Sequence, residues 1–167
     1  MSTPTTQPHP NDRIAIQVGD IAPDFSLVDT EGQTHNLHHT AVQQPLIIVF
    51  YRGDWCPYCQ LQLYQLGQVY QQILDHGAMI WAISPQDRAT NHAFREKREV
   101  GFPILCDESL TVINQWGLRD ELDPHAASQI PWPTTYIIDT AGRVHWRKMG
   151  YNKADRPTPG EIIAALP

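Results

Sequence analysis

Two unbroken apolar runs place the strongest constraint on how this chain can fold. "LIIVFY" (46–51) and "AMIWAIS" (78–84) are rich in β-branched and aromatic residues and lack the alternation of a half-exposed strand. Such runs are typical of strands that are covered on both faces. Between them lie apolar residues at helical spacing, namely Leu63, Leu66, Tyr70 and Ile73. We therefore predict a strand, one helix that ends at Gly77, and a second strand, which together indicate an α/β sheet.

The rest of the chain continues this alternation. Residues 18–37 and 134–150 have the pattern of two β-hairpins, with turns at Gly32 and Gly142. The other predicted elements are a helix capped by Asp87 and ending near Lys97, an extended segment over 102–105, and helices over 107–117 and 157–167. We expect an α/β fold whose mixed sheet is mainly parallel at its centre and carries helices on both faces.

Size and charge narrow the classes of function. A chain of 167 residues, 41% of them hydrophobic, fits one domain with a buried core. Its net charge of −6 argues against a nucleic-acid partner, and no apolar segment approaches the roughly 18 residues of a membrane span. Residues 1–13 are polar and Pro-rich and lack the pattern of a secretion signal. We predict a disordered leader over 1–13, a single domain over 14–167 and a cytoplasmic location; the oligomeric state stays open.

Cys56 and Cys59 follow the first buried strand and are separated by two residues. Pro57 suits the first position of a helix, which puts Cys56 at the helix N-terminus, where unpaired N–H groups and the helix dipole favour an anion. The pKa of a thiol, ordinarily about 8.5, falls in such a place, and the thiolate is the nucleophile. Arg52 adds positive potential, whereas Asp54 opposes it. One helical turn brings the two sulfurs together, so the spacing predicts reversible dithiol–disulfide exchange.

Other uses of the cysteines are possible. A zinc site would need two more ligands; the nearby cluster His35, His38 and His39 offers nitrogen atoms, but histidines in a polar loop are more often solvated than ligating. A permanent structural disulfide is disfavoured in a reducing compartment. We expect no metal and no cofactor. Cys106 follows an apolar segment and is expected to be a buried structural thiol, with a secondary redox role as the alternative.

Several stretches resemble one known family. "VGDIAPDFSLVDTEGQ", "FYRGDWCPYC", "AISPQ", "FPILCDES" and "IPWPTTYIIDTAGRV" are together similar to the peroxiredoxin-like branch of the thioredoxin superfamily, usually called the alkyl hydroperoxide reductase/thiol-specific antioxidant family. The similarity runs from about Val18 to Leu166. It implies a thioredoxin fold with an added N-terminal β-hairpin and a redox-active pair, Cys56 and Cys59.

The resemblance also implies residues that support the sulfurs. Pro133 would be the cis-proline that faces the active site in thioredoxin folds. Trp55 and Trp132 would flank the sulfurs as an apolar rim, or else pack inside the protein. Tyr58 belongs to the Trp-Cys-Pro-Tyr-Cys motif itself. Thr134 would donate a hydrogen bond near the thiolate, or serve as an ordinary strand threonine.

The chain departs from the family pattern at the catalytic motif. Typical peroxiredoxins carry Pro-x-x-x-Thr-x-x-Cys, and aligning their attacking cysteine with Cys59 puts the threonine at Cys56 and the proline at Arg52. The arginine that usually joins the peroxide site falls on Pro133. In the alternative thioredoxin alignment, Cys56 is the nucleophile and Cys59 resolves the intermediate. Gln62 stands where many relatives have Glu.

Two reactions and one non-catalytic role follow. If Cys56 attacks a peroxide, it becomes a sulfenic acid that condenses with Cys59. If it attacks a disulfide, Cys59 resolves the mixed disulfide by exchange. Either product needs a thioredoxin- or glutathione-type reductant. We predict a thiol-dependent antioxidant peroxidase, with a protein disulfide reductase or isomerase as the alternative and a binding module with incidental cysteines as the third possibility.

Overall fold

The computed structural model of the chain describes residues 7–122 and 129–167. Within these ranges, the helices are α1 (Asn11–Ile14), α2 (Leu37–Ala41), α3 (Pro57–Gln68), α4 (Tyr70–Asp75), α5 (Arg88–Lys97), α6 (Thr111–Gln115) and α7 (Pro159–Ala165). The strands are β1 (Ser26–Asp29), β2 (Thr34–Asn36), β3 (Leu46–Phe50), β4 (Met79–Ser84), β5 (Ile104–Cys106), β6 (Thr134–Ile138) and β7 (Val144–Met149). None of the helices within these ranges has the length and hydrophobicity of a transmembrane span.

The strands form one mixed sheet in the order β2-β1-β5-β4-β3-β6-β7. Parallel pairing is confined to the three central strands, β3, β4 and β5, and both predicted hairpins pair antiparallel. The N-terminal hairpin joins the sheet where β1 pairs with β5, and the second hairpin joins where β6 pairs with β3. The predicted mixed sheet and both hairpins are therefore confirmed.

Strand β3 is buried along its whole length and separates two apolar clusters. Its side chains alternate between the faces, as strand geometry requires. Leu46, Ile48 and Phe50 join the cluster around Trp81 and Trp116. Ile47 and Val49 join the other cluster, which also contains the helical residues Leu63 and Leu66 and both active-site candidates, Cys56 and Cys59. Both cysteines are thus part of this second core cluster.

The single helix predicted after the cysteines is two helices. Val69, with φ −108° and ψ 10°, interrupts the helical backbone between α3 and α4. Just before the break, Gly67 lies so close to the loop after α5 that a Cβ there would be 2.9 Å from the Val100 carbonyl oxygen and 3.0 Å from that of Glu99. Close backbone contact at a glycine therefore coincides with the break, and apolar spacing alone does not reveal it.

Helix α5 begins and ends where the sequence predicts. Asp87 caps it by accepting a 2.7 Å hydrogen bond from the Thr90 backbone N–H, and the last helical residue is Lys97. Helix α6 is shorter than the predicted 107–117. Asp107 instead accepts hydrogen bonds from the Val112 and Ile113 N–H groups, and so caps the first turn from outside the helix.

Residues 7–13 are ordered, which corrects the prediction that the whole of 1–13 is a disordered leader. Asn11 is fully buried, and its amide donates hydrogen bonds to the carbonyl oxygens of Gly117 (2.9 Å) and Arg119 (2.6 Å). His9 is also buried. Polar side chains that bond to backbone give no hydrophobic pattern, so composition could not identify this contact. The remaining leader residues, 1–6, lie outside the described ranges.

Candidate active site

Cys56 is the N-cap residue of α3, and Pro57 occupies the first helical position. The backbone N–H of Cys59 donates to the Cys56 sulfur at 3.4 Å, which is the capping interaction that a serine or aspartate oxygen usually makes. Both cysteines are free thiols and are almost completely buried. The strand-to-helix turn therefore holds the two sulfurs together, one helical turn apart.

The two sulfurs have opposite protonation preferences. A hydrogen bond from the Cys59 thiol, together with the Cys59 backbone N–H and the charges of Arg156 and Arg52, lowers the pKa of Cys56 to about 5 in spite of its burial. Burial and the neighbouring Cys56 sulfur raise the pKa of Cys59 well above its ordinary value. At neutral pH the pair therefore holds one proton, with a thiolate at Cys56 and a thiol at Cys59.

Arg156 completes the site from a distant part of the chain. Its Nη2 lies 3.4 Å from the Cys59 sulfur and 3.9 Å from the Cys56 sulfur. Its Nη1 donates to Gln62 Oε1 at 2.8 Å, and its Nε donates to the Lys153 carbonyl oxygen at 2.9 Å. The guanidinium thus has fixed partners on both sides and faces both sulfurs.

Sequence reasoning did not identify Arg156, although strand pairing could have indicated it. Phe50 at the end of β3 pairs with Thr134 at the start of β6, and Thr134 pairs with Met149 at the end of β7. The chain that follows β7 therefore emerges at the same end of the sheet as the loop between β3 and α3 (residues 51–56), which ends at Cys56. An arginine in that segment was a candidate once the second hairpin had been predicted.

Gln62 connects Arg156 to the sheet. Its side chain is 5% exposed, and its Nε2 donates to Thr135 Oγ1 at 3.4 Å while its Oε1 accepts from Arg156. Gln62 can offer a carbonyl oxygen to the guanidinium without adding negative charge beside the Cys56 thiolate. This arrangement leaves the positive charge of Arg156 to act on the sulfurs.

Arg52 and Trp55 lie in the loop between β3 and α3, just before Cys56. Arg52 is buried, and its guanidinium carbon lies 5.0 Å from the centre of the Trp55 ring, within the range of a cation–π contact. Gly53 lies tightly under the same ring, since a Cβ there would be 2.4 Å from Trp55 Nε1. The charge of Arg52 is one of the causes that lower the pKa of Cys56, as the sequence predicts. The Asp54 carboxylate accepts from the Gln86 amide at 2.8 Å.

Trp55 and Tyr58 are the exposed aromatic residues of the motif, with 53% and 47% of their surface accessible. Tyr58 and Arg156 help to line a groove of about 150 Å³ beside the sulfurs; the other lining residues are Leu61, Gln62, Gln65, Ala154, Pro157 and Thr158. Trp132, by contrast, is buried. Of the two tryptophans proposed for an apolar rim, only Trp55 is at the surface.

The prediction that Pro133 is a cis-proline is wrong. The described part of the chain has no cis peptide bond, so the Trp132–Pro133 bond is trans. The chain is already extended before Pro133, because the Trp132 N–H donates to the Leu118 carbonyl oxygen at 2.7 Å and Pro131 forms a bridge with Arg119. A trans bond continues this extended path into β6.

Thr134 does not donate to the sulfurs. Its side chain is buried, and its hydroxyl donates to the Trp132 carbonyl oxygen at 2.9 Å. The predicted hydrogen bond near the thiolate is therefore replaced by a local bond at the entry to β6, in line with the alternative of an ordinary strand threonine.

The remaining titratable candidates lie in other surroundings. Cys106 is half-buried, its sulfur accepts from Asn91 Nδ2 at 3.3 Å, and burial raises its pKa, which is the behaviour of an unreactive thiol. His35 contacts the Asp29 carboxylate at 2.7 Å, and His38 contacts the Ala22 carbonyl oxygen at 2.7 Å. Neither histidine faces the cysteines in these contacts.

One cluster among the described residues has side chains that could ligate a metal ion. Possible ligand atoms of Glu31, His92 and Glu96 lie within 4.8 Å of one another, and all three residues are exposed. Arg95 Nη1 lies 3.9 Å from a carboxylate oxygen of each glutamate. Ion pairing with this arginine accounts for the cluster without a metal.

Comparisons with known proteins identify the family. A family model described as the AhpC/TSA family matches residues 18–147. Chloroplastic peroxiredoxin Q of Triticum aestivum is 30% identical over 131 residues, which cover 78% of this chain and 58% of that protein, so the chain spans less than two thirds of that relative. Thiol-disulfide oxidoreductase ResA of Geobacillus thermodenitrificans is 30% identical over 134 residues, with 80% of this chain and 70% of that protein covered.

The fold comparison agrees with the sequence comparison. The crystal structure of peroxidoxin BcpB from Mycobacterium tuberculosis superposes with a TM-score of 0.80 at 24% identity, covering 90% of this chain and 96% of that one. The expected thioredoxin-type α/β fold with its added hairpin is thereby confirmed. Because the family model matches well over half of its length, the chain belongs to the AhpC/TSA family.

Proposed function

We propose that the chain reduces peroxides, with Cys56 as the attacking thiolate and Cys59 as the resolving thiol. The observation that carries the proposal is the split protonation of the pair: the pKa of Cys56 is lowered to about 5, and that of Cys59 is raised. An ionised nucleophile lies beside a protonated partner, and the Arg156 guanidinium lies within 3.9 Å of both sulfurs. Attack, proton donation and resolution can therefore follow within a single site.

The reaction balances without a separate base. The Cys56 thiolate attacks the terminal oxygen of ROOH, the S–O bond forms, and the O–O bond breaks to release an alkoxide. The Cys59 thiol protonates that alkoxide, giving ROH, a Cys56 sulfenic acid and a Cys59 thiolate. This thiolate then attacks the Cys56 sulfur, forming the disulfide and releasing hydroxide. The guanidinium of Arg156 can stabilise the charge that develops on the departing oxygen.

The cycle closes only with an external donor of two electrons. We propose a thioredoxin- or glutathione-type thiol, which would attack the disulfide and leave Cys56 and Cys59 reduced. The cytoplasmic location and the absence of nucleic-acid and membrane partners stay predictions.

A disulfide reductase is the second candidate, and the similarity to ResA favours it. The same ionised Cys56 would attack a disulfide sulfur, and Cys59 would release the mixed disulfide. The exposed Trp55 and Tyr58 beside the sulfurs offer contact area for a protein substrate. A purely non-catalytic binding module would have no use for the lowered pKa of Cys56.

Rapid kinetics on the pre-reduced protein distinguishes these candidates. Peroxide and a small disulfide are added separately, and the loss of free thiols is followed. Fast oxidation by peroxide supports the proposal, whereas fast reaction with the disulfide alone supports the reductase, and inert thiols leave only the binding module.

Three single variants identify the attacking sulfur in the same assay. We expect Cys56→Ser to abolish the first step, and Cys59→Ser to retain it but to stop at a sulfenic acid that dimedone traps. The control variant Cys106→Ser should behave as wild type. The reverse pattern, with the first step lost only in Cys59→Ser, would instead support the peroxiredoxin alignment, in which Cys59 attacks.

A further inference from the structure

Residues 8–12, which we call the N-terminal strap, pack against Trp132. The His9 ring stacks on the Trp132 ring with 3.8 Å between centroids and 11° between planes. The Asn11 N–H donates to His9 Nδ1 at 3.2 Å, and His9 Nε2 lies 3.4 Å from Asp120 Oδ1, so both edges of the imidazole have fixed neighbours. The strap therefore presents a flat, oriented ring to one face of a buried tryptophan.

Trp132 in turn contacts the loop that carries Arg156. Its indole Nε1 donates to the Gly150 carbonyl oxygen at 2.8 Å, immediately after the end of β7. The loop then folds back directly over Gly150, because a Cβ there would be 2.3 Å from the Asp155 carbonyl oxygen. Arg156 follows in sequence. A shift of the indole would therefore be transmitted through Gly150 to the base of the loop.

The strap is also attached to this region on its other side. The Asp12 carboxylate forms an ion pair with Arg147 in β7. Three strap residues, Pro8, His9 and Asp12, line a common cavity of about 300 Å³ with residues 147–149, Tyr151 and Asp155. Asn11 separately fixes the strap to the segment around Gly117. The strap thus has its own anchor and reaches the Arg156 loop through Trp132 and β7.

We propose that the N-terminal strap is a positioning element for the active site, in which His9 and Trp132 act through Gly150 to hold Arg156 against the cysteine sulfurs. The inference rests on the proposed reactivity of Cys56. It assigns a role to a segment that contains no residue of the Cys-x-x-Cys site and precedes the part of the chain that matches the family model.

The test measures the Cys56 thiolate directly, by ultraviolet absorbance and by the rate of iodoacetamide alkylation against pH, without peroxide. In His9→Ala, the stack on Trp132 is lost, and we expect the apparent pKa of Cys56 to rise by about 0.5–1 unit, since opposite charges within reach shift a pKa by about 1–3 units when fully engaged. His9→Phe restores a flat ring and should return the apparent pKa to within about 0.3 unit of wild type.

Trp132→Phe is the second variant, and it keeps a ring for His9 but removes the N–H that bonds to Gly150. We expect the same rise in the apparent pKa. The matched control is His35→Ala, because His35 also contacts a buried tryptophan, Trp81, and an aspartate, Asp29, but lies on β2 at the opposite edge of the sheet. It should leave the titration unchanged.

The outcomes separate the two proposals. A wild-type titration near the ordinary cysteine pKa of about 8.5 would contradict the proposed function. A low wild-type value that neither His9→Ala nor Trp132→Phe changes would overturn the strap inference alone. An equal rise in His35→Ala would also overturn it, because general loosening would then explain the effect.

Discussion

At the scale of single residues, the reactivity of Cys56 depends on charges that arrive from two separate segments. Arg52 precedes the cysteine by four positions and is held under Trp55, whereas Arg156 comes from the loop after β7. The Cys59 thiol and N–H supply the remaining donors. Ionisation of the sulfur is thus a result of tertiary structure as well as of the helix N-terminus.

Arg156→Ala should raise the pKa of Cys56, since it removes a guanidinium 3.9 Å from the sulfur. With a rise of about 1–2 units, the alkylation rate at pH 6 should fall by about 2- to 10-fold, while the rate at pH 9 should change little because the thiolate is then fully formed. Lys153→Ala is the control, because Lys153 is in the same loop and offers only its backbone oxygen to Arg156. Equal rates for Arg156→Ala and wild type at pH 6 would contradict the assignment.

At the scale of elements, the close approach of α3 to the loop after α5 determines what position 67 can hold. In an open helix, replacing glycine by alanine stabilises by about 1 kcal/mol. At Gly67 the new Cβ would meet backbone oxygens at 2.9 Å and 3.0 Å, and backbone cannot move aside as a flexible side chain can. Steric cost therefore exceeds helix propensity at this position.

We expect Gly67→Ala to lower the free energy of unfolding by about 1–3 kcal/mol, the range for overpacking. The measurement is urea unfolding of the reduced protein. Gly160→Ala in the first turn of α7 is the matched control, because its Cβ would meet only the Thr158 hydroxyl at 3.9 Å. That variant should be neutral or slightly more stable. A stabilised Gly67→Ala protein would show that the two backbones separate easily.

Local rules predicted most elements but not the contacts between them. Asp87 and Lys97 bound α5 as the capping and periodicity rules expect, and Cys56 lies at the N-cap that Pro57 indicates. The close contact at Gly67, beside the break, and the approach of Arg156 both involve segments that are distant in sequence, so no local pattern contains them.

At the site, the expectation for Pro133 was wrong, and the structure agrees with the alternative given for Thr134. The expectation for Pro133 came from family resemblance, whereas the extended pairing of Trp132 with Leu118 leads the chain through a trans bond. The Thr134 hydroxyl donates to the carbonyl oxygen of Trp132, two residues before it in the chain. In both cases the local path of the backbone determines the geometry, and sequence similarity does not determine that path.

At the scale of the whole molecule, the opposite pKa shifts of Cys56 and Cys59 make the stability of the reduced protein depend on pH. The folded pKa of Cys56, about 5, lies below its unfolded value of about 8.5, so unfolding between these values takes up a proton. The stabilisation is fully present above the unfolded pKa and is lost as the pH falls through about 5. Cys59 has a raised folded pKa, so its contribution is lost only as the pH rises above its unfolded value.

We therefore expect the difference in unfolding free energy between wild type and Cys56→Ser to grow from pH 5.5 to 8.5. Because one thiol takes up at most one proton, the slope cannot exceed roughly 1.4 kcal/mol per pH unit. Urea unfolding of the two reduced proteins at several pH values gives this difference, in which the titrating groups that do not contact Cys56 cancel. Cys106→Ser should run parallel to wild type. A difference independent of pH would mean that the Cys56 thiol is not ionised in the folded state.

The cation beside the sulfurs also affects how readily the protein gives up electrons. Arg156 and the α3 amides stabilise an anion that exists only in the dithiol form, so they favour that form over the disulfide. A dithiol stabilised in this way raises the reduction potential, as a comparison between thioredoxin, at about −270 mV, and more oxidising relatives illustrates. We expect equilibration with glutathione buffers to place this couple above −270 mV, and Arg156→Ala to move it lower. Common cellular thiols would then readily reduce the Cys56–Cys59 disulfide.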